Sequence, residues 1–315
     1  MAQQSALYRA KDMPEAIELI DEGRRCESHG VLDRALESYT AAAETSTDPE
    51  TLAEALNHQS RIHRLRCEWE AALATARRAA ETAEAGGLAC LLSDALNAEA
   101  LVLVCQGDYV AALRLFNRIL DTTEEPRQRG IALQNIGTVM AQQGHLGSAE
   151  RAFAESFGWF RHAQYRLGEA MALNNHARVA LDRGNPQLAE QLLEEALAVA
   201  RSEEYSDLIA LATLNLAEAL DARGLHAKAE EQASTALGYF ATSGNRWREI
   251  ECLRLIGSIN ERGGDYADAV RCYERGLRIA SEIGAQQDIV TIRDCLARVS
   301  GPASRARHAE SRISG

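Results

Sequence analysis

Long apolar runs are missing from this 315-residue chain: no window approaches the roughly 18 consecutive apolar residues that a membrane helix needs, and the N-terminal MAQQSALYRAKDM holds no apolar signal segment. Positive charge is in deficit as well, with 34 Lys and Arg against 46 Asp and Glu and a formal charge of -12, which opposes broad binding to nucleic acid or anionic membrane. The seven cysteines (Cys26, Cys67, Cys90, Cys105, Cys252, Cys272 and Cys295) are odd in number, scattered and without a C-x-x-C pair. They fit a reducing cytosol, where most serve as small core residues. Catalytic signatures are absent too: there is no G-x-x-x-x-G-K-[ST] loop, no H-E-x-x-H, no G-x-S-x-G elbow and no dinucleotide fingerprint after a strand. His58 and His63 are five apart, so they miss the i, i+4 spacing that would set two zinc ligands on one helical face. Cys67 has no base in sequence that would lower its pKa, and His63 reads as a partly buried core residue. The chain therefore reads as soluble, cytoplasmic and non-catalytic, with no cofactor, no metal, no nucleic acid and no membrane among its partners.

What is present is a repeat. At 46% hydrophobic and 25% charged residues the chain has the composition of a folded protein. Aligned on Gly184, equivalent turn positions fall at Gly30, Cys67, Gly107, Gly144, Gly184, Gly224 and Gly264, spaced by 37, 40, 37, 40, 40 and 40. Five residues after every turn stands alanine (Ala35, Ala72, Ala112, Ala149, Ala189, Ala229, Ala269), and seven before it a small residue (Gly23, Ser60, Ala100, Gly137, Ala177, Ala217, Gly257). Small side chains at fixed register let two helices approach to about 8–10 Å, so each unit is predicted to be a helical hairpin. Positions -11, -7 and -4 before the turn form the buried stripe of its first helix, with Leu at -11 in six repeats and Thr213 in the other. Asp48-Pro49 and Asn185-Pro186 read as helix starts, and Gly87, Gly244 and Gly284, each 20 residues past a turn, as left-handed helix ends. Trp69, Trp159 and Trp247 read as packing between repeats.

Small residue, Gly seven later, Ala five after that and an aromatic four further on (Tyr39, Phe116, Phe153, Tyr273) resembles the tetratricopeptide repeat over about residues 13–299. The period departs from the 34-residue norm, and the usual closing proline is replaced by glycine or a polar residue. Repeats of this longer type are similar to those of bacterial quorum-sensing peptide receptors, kinesin light chains and LGN-type adaptors. The resemblance implies an all-α fold, a right-handed α-solenoid of seven hairpins with residues 286–299 as a capping helix. Residues 1–12 then form an N-terminal extension, too short for a separate DNA-binding domain, and residues 300–315 a disordered tail. It also implies a module that binds a peptide or protein segment in its concave groove.

Positions -13, -9, -6 and -2 lie opposite the buried stripe and, in such a stack, line that groove. Position -9 carries Asn135, Asn175 and Asn215 in repeats four to six, while position -13 of the same repeats carries Ile131, Met171 and Leu211. An asparagine amide can serve both the N–H and the C=O of an extended backbone without reading its sequence, and the apolar neighbours would receive side chains. An extended chain rises about 3.3 Å per residue, so each helix layer meets every third residue and three tiers suit six to nine residues. Asn174 at position -10 faces the groove edge, and Arg178 and Arg61 at position -6 offer cations to a ligand carboxylate. Against this stands the plainer role of asparagine as a tie between neighbouring hairpins. Two functional readings follow: an adaptor or scaffold that binds a short extended segment, and a signal-peptide sensor that regulates an effector protein. Self-association through terminal repeats is a minor third.

Overall fold

An amphipathic hairpin cannot bury its stripe alone, so neighbouring hairpins must cover it. The computed structural model, which describes the backbone of residues 2–300 and the side chains of 15–299, has fifteen helices and no strand among the described residues. These divide between Gln164 and Tyr165 into two compact units. The first holds α1 (Ala2–Ser28), α2 (Leu32–Thr45), α3 (Pro49–Leu65), α4 (Trp69–Ala85), α5 (Ala89–Cys105), α6 (Tyr109–Thr122), α7 (Pro126–Gln142) and α8 (Leu146–His162). The second holds α9 (Arg166–Asp182), α10 (Pro186–Ser202), α11 (Ser206–Ala222), α12 (His226–Ser243), α13 (Arg246–Gly263), α14 (Tyr266–Glu282) and α15 (Gln286–Ser300).

Within each unit every helix packs on the next, and the odd-numbered helices also touch one another, α1 on α3, α3 on α5 and α5 on α7, then α9 on α11, α11 on α13 and α13 on α15. The protein is thus an all-α solenoid of seven hairpins followed by α15. The -11 leucines Leu56, Leu96, Leu133, Leu173 and Leu253 are buried, as is Thr213. Helix α1 already begins at Ala2, and α15 runs to Ser300; the remainder of the segment read as a tail lies outside the described residues.

The two spacings have a structural cause. Helices α2 and α6 have 14 residues where the other second helices have 17 or 18, and the missing three account for the periods of 37 against 40. Both short helices end in extended backbone, at Ser46 and Thr123, and the chain restarts at Asp48-Pro49 and Glu125-Pro126, where each carboxylate accepts a backbone N–H of the new helix. Elsewhere the second turn is left-handed at Gly87, Gly244 and Gly284, as expected, and also at Gln164 (φ 52) and Glu204 (φ 57), which carry no such signal in sequence. Cys67, standing where other repeats have the turn glycine, takes φ 59 and is exposed.

The small residue at -7 has a more specific task than spacing. A Cβ added at Gly23 would come within 2.5 Å of the Tyr39 ring, at Gly137 within 2.8 Å of Phe153, and at Gly257 within 2.6 Å of Tyr273. Glycine there makes the seat for the aromatic at +9 of its own hairpin. Where +9 is Leu193, Ala76 or Ala233, the facing residue is Ala177, Ser60 or Ala217; Ala100 opposite Phe116 is the exception in size.

Candidate functional site

In the second unit the first helices α9 and α11 lie side by side, and their N-terminal halves leave a cleft of about 380 Å³. Leu167 and Met171, one helical turn apart on α9, form one wall; Leu208 and Leu211 on α11 form the other. Asn174 and Asn175 supply amides one turn further along α9, and Tyr205, Ser206 and Asp207 bound the cleft at the start of α11. Met171 stays 36% exposed although it is a large apolar side chain. Leu167 and Asp207 stand at position -17, one turn before the -13 residues, so continuing the stripe by a turn would have found them. Tyr205 and Ser206, the N-cap and first residue of α11, precede the stripe that the repeat pattern reads.

The expected amides have different fates. Asn215 is buried, and its Nδ2 donates to Oδ1 of Asn174 at 2.8 Å, tying α11 to α9. In the first unit Asn135 Nδ2 donates to Asn97 Oδ1 at 2.6 Å, the same tie between α7 and α5. Asn57, at position -10 of its repeat, differs: its Nδ2 donates to the backbone carbonyl of Leu91 on the next first helix at 3.2 Å. In the Asn135–Asn97 and Asn215–Asn174 pairs a side chain at -9 thus reaches one at -10 on the preceding first helix. Asn175 is the one of the three ladder residues that lines the cleft; it is half-buried, and its Oδ1 takes a long 3.5 Å contact from Asn174 Nδ2. Met171, Asn174, Asn175 and Leu211 are thus brought together, with Asn215 behind them. Ile131 and Asn135 belong to the first unit and line no part of this cleft.

The arginines are engaged by carboxylates. Arg178 pairs with Glu218 of α11 and lies 3.6 Å from Asp182. Arg61 pairs with Glu27, which also accepts from the Tyr39 hydroxyl at 3.0 Å, and Arg61 lies 3.2 Å from His58 Nδ1. The His58 ring stacks on Tyr39 with centroids 4.6 Å apart and planes 7° apart. Burial above all, then Arg61 and Arg24, pull the His58 pKa down to about 4. His63 is half-buried and meets Glu68 at 2.6 Å. Trp247 departs from its expected packing role: at position -17 on the first turn of α13 it points away from the buried stripe and is 59% exposed. Among the described residues no group of three His, Cys, Asp or Glu is placed to hold a metal, and no helix is long and apolar enough to cross a membrane.

Residues 168–241, which contain most of the cleft, match a family model described as the tetratricopeptide repeat. Among solved structures, a Rap protein complexed with Competence and Sporulation Factor is similar at 15% identity and a TM-score of 0.67, over 94% of this chain and 85% of that one. The apo form of the quorum sensor NprR from B. thuringiensis is similar at 13% identity and a TM-score of 0.68, over 88% of this chain and 80% of that one. A signal transduction ATPase from Pyrococcus horikoshii with a tetratricopeptide repeat sensor is similar at 13% identity and a TM-score of 0.70, over 91% of this chain and 46% of that one. At these identities the likeness is one of fold. No curated protein matches the chain.

Proposed function

We propose that this chain, a stack of helical hairpins of which residues 168–241 match the tetratricopeptide-repeat model, is a non-catalytic adaptor or scaffold that holds a short extended segment of a partner protein against the first helices of its second unit. The observation that carries this reading is the cleft between α9 and α11, an apolar slot with the half-buried Asn175 amide at its edge, held there only by the long contact from Asn174. Burying one leucine-sized side chain between Leu167, Met171, Leu208 and Leu211 is worth about 1.5–3 kcal/mol, enough to anchor a segment but not to select it. The Asn175 amide then offers a donor and an acceptor to the ligand backbone beside the anchored residue. Asn174 and Asn215, spent on each other, set the edge of the slot and hold Asn175 in place. Asn135, Arg61 and Arg178 are engaged by Asn97, Glu27 and Glu218, and Asn135, Ile131 and Arg61 lie in the first unit, outside this cleft.

The sensor reading has its own support in the similar structures, which include a quorum sensor and a Rap protein complexed with Competence and Sporulation Factor. A sensor must change shape when filled, because a ligand shifts an equilibrium only by binding two states differently. Small-angle scattering with and without the captured segment separates the two: an unchanged curve favours the adaptor, a changed one the sensor.

The test of the site is capture of partners from cells by wild type, Asn175→Ala and Leu211→Glu, with the bound segment mapped by cross-linking at Met171. The expected result is loss of the mapped segment with Leu211→Glu, weakening by about 1–3 kcal/mol with Asn175→Ala, and a melting temperature that hardly moves with Asn175→Ala. Capture that survives both substitutions overturns the reading.

A further inference from the structure

The cleft is continued by a second feature on the same face. In the second unit the large apolar side chains that stay exposed, among the described residues, are Met171, Trp247 and Val290. Met171 lines the cleft, and Trp247 stands at position -17 of its repeat, the register that places Leu167 and Asp207 in the cleft lining two repeats and one repeat earlier. Helix α13, which carries Trp247, packs on α11, which carries Asp207. Position -17 therefore reads Leu167, Asp207, Trp247 across three successive first helices: an apolar wall, a carboxylate and an exposed indole.

The carboxylate is the informative member. Asp207 is exposed, its Oδ1 accepts from the Tyr239 hydroxyl at 2.8 Å, and no cation pairs with it among the described residues. The arginines that flank Trp247 are neutralised by their own partners, Arg246 by Glu249 and Glu282, and Arg248 by Glu251 at 2.6 Å. Tyr239 in turn is held edge-on to Phe240, so the hydroxyl that fixes Asp207 is itself set by packing. A carboxylate held through one oxygen on α11, with an exposed indole at the same register of the neighbouring first helix α13, is complementary to a cation lying between the two helices: the carboxylate supplies charge and the indole quadrupole adds attraction.

Resting on the proposed cleft, we propose that Asp207 and Trp247 form a seat for a lysine or arginine side chain of the bound segment, three residues away from the apolar residue that fills the cleft. The spacing follows from geometry. Adjacent first helices are about 8–10 Å apart and an extended chain rises about 3.3 Å per residue, so one tier corresponds to three residues. The partner segment is thus an extended stretch with an apolar anchor and a basic residue at the third position from it, and the seat, not the cleft, selects it.

The experiment uses the full-length protein, immobilised and screened against eight-residue random peptides displayed on phage, in parallel with Asp207→Asn and Trp247→Ala. Both substituted side chains are exposed, so both variants fold. The expected wild-type selection is enriched in Leu, Ile or Met with Lys or Arg three positions away; Trp247→Ala, outside the cleft lining, keeps the apolar preference while losing the basic one, and Asp207→Asn loses the basic one. A selected peptide and its Lys→norleucine counterpart, compared by fluorescence anisotropy, should differ about fivefold in affinity for wild type and not at all for the double variant. Apolar enrichment without a basic residue, or a basic preference unchanged in both variants, overturns the seat and leaves the cleft standing. A selection that enriches nothing overturns the cleft and the seat together.

Discussion

Asn215 on α11 donates from Nδ2 to Oδ1 of Asn174 on α9 at 2.8 Å, with both residues buried. Two amides 41 positions apart in the chain thereby fix the spacing of two first helices at the cleft edge. Truncating one leaves the other buried with an unmade bond, which costs about 1–3 kcal/mol. Asn215→Ala is therefore expected to lower stability by that amount in urea unfolding, in contrast to Asn175→Ala. Equal melting of both variants would contradict the division of labour between the two asparagines.

Gly257 lies under Tyr273 so closely that an added Cβ would sit 2.6 Å from the ring. Helix propensity alone favours alanine by about 1 kcal/mol, so a net loss isolates the clash. Gly257→Ala is expected to destabilise by about 1–3 kcal/mol, and Tyr273→Leu in the same chain to recover part of that loss by removing the ring. A double-mutant cycle measures the coupling.

Glu204 and Cys67 hold left-handed backbone, φ 57 and φ 59, at turns where other repeats have glycine. A side chain in that conformation costs about 1–2 kcal/mol, partly offset by the greater freedom glycine loses on folding. Glu204→Gly and Cys67→Gly are each expected to stabilise the protein by about 0.5–1 kcal/mol. Calorimetric melting of the single and double variants checks this, and the two gains should add because the sites are far apart in sequence and lie in different units.

His58, stacked on Tyr39 beside Arg61, has its pKa pulled down to about 4 from an ordinary 6.5. Between these values the native residue stays neutral while the unfolded one takes up a proton, so the unfolded state binds more protons and stability falls as pH drops through the window. The slope from this residue is at most about 1.4 kcal/mol per pH unit. Urea midpoints of wild type and His58→Gln between neutral pH and about pH 5 should converge as pH falls, because the variant lacks this proton uptake.

Much of the architecture was legible because it is local and repeated. Gly184 with Ala189 five later and Ala177 seven before marks a hairpin turn, and the same register occurs seven times. The Asn185 side chain does accept the Leu188 N–H, as the Asn-Pro start implied. Gln164 and Glu204 were not legible as left-handed turns, since nothing in a single Gln or Glu announces φ near 55°. The groove was legible in part: helical phase placed Met171, Leu211 and Asn175 on one face, and the cleft contains all three. Phase could not say that Asn215 would spend its amide on Asn174, nor that Trp247 would stand clear of the packing it was expected to join.

By itself the chain determined seven hairpins, their register, where most helices begin and end, and which stripe of each first helix is buried, because those properties depend on contacts within about forty residues of sequence. Only the tertiary structure decided which polar side chains pair across neighbouring first helices and which are left to face solvent. That choice turns on a few ångströms of helix offset and on rotamers selected by packing, neither of which the repeat pattern encodes.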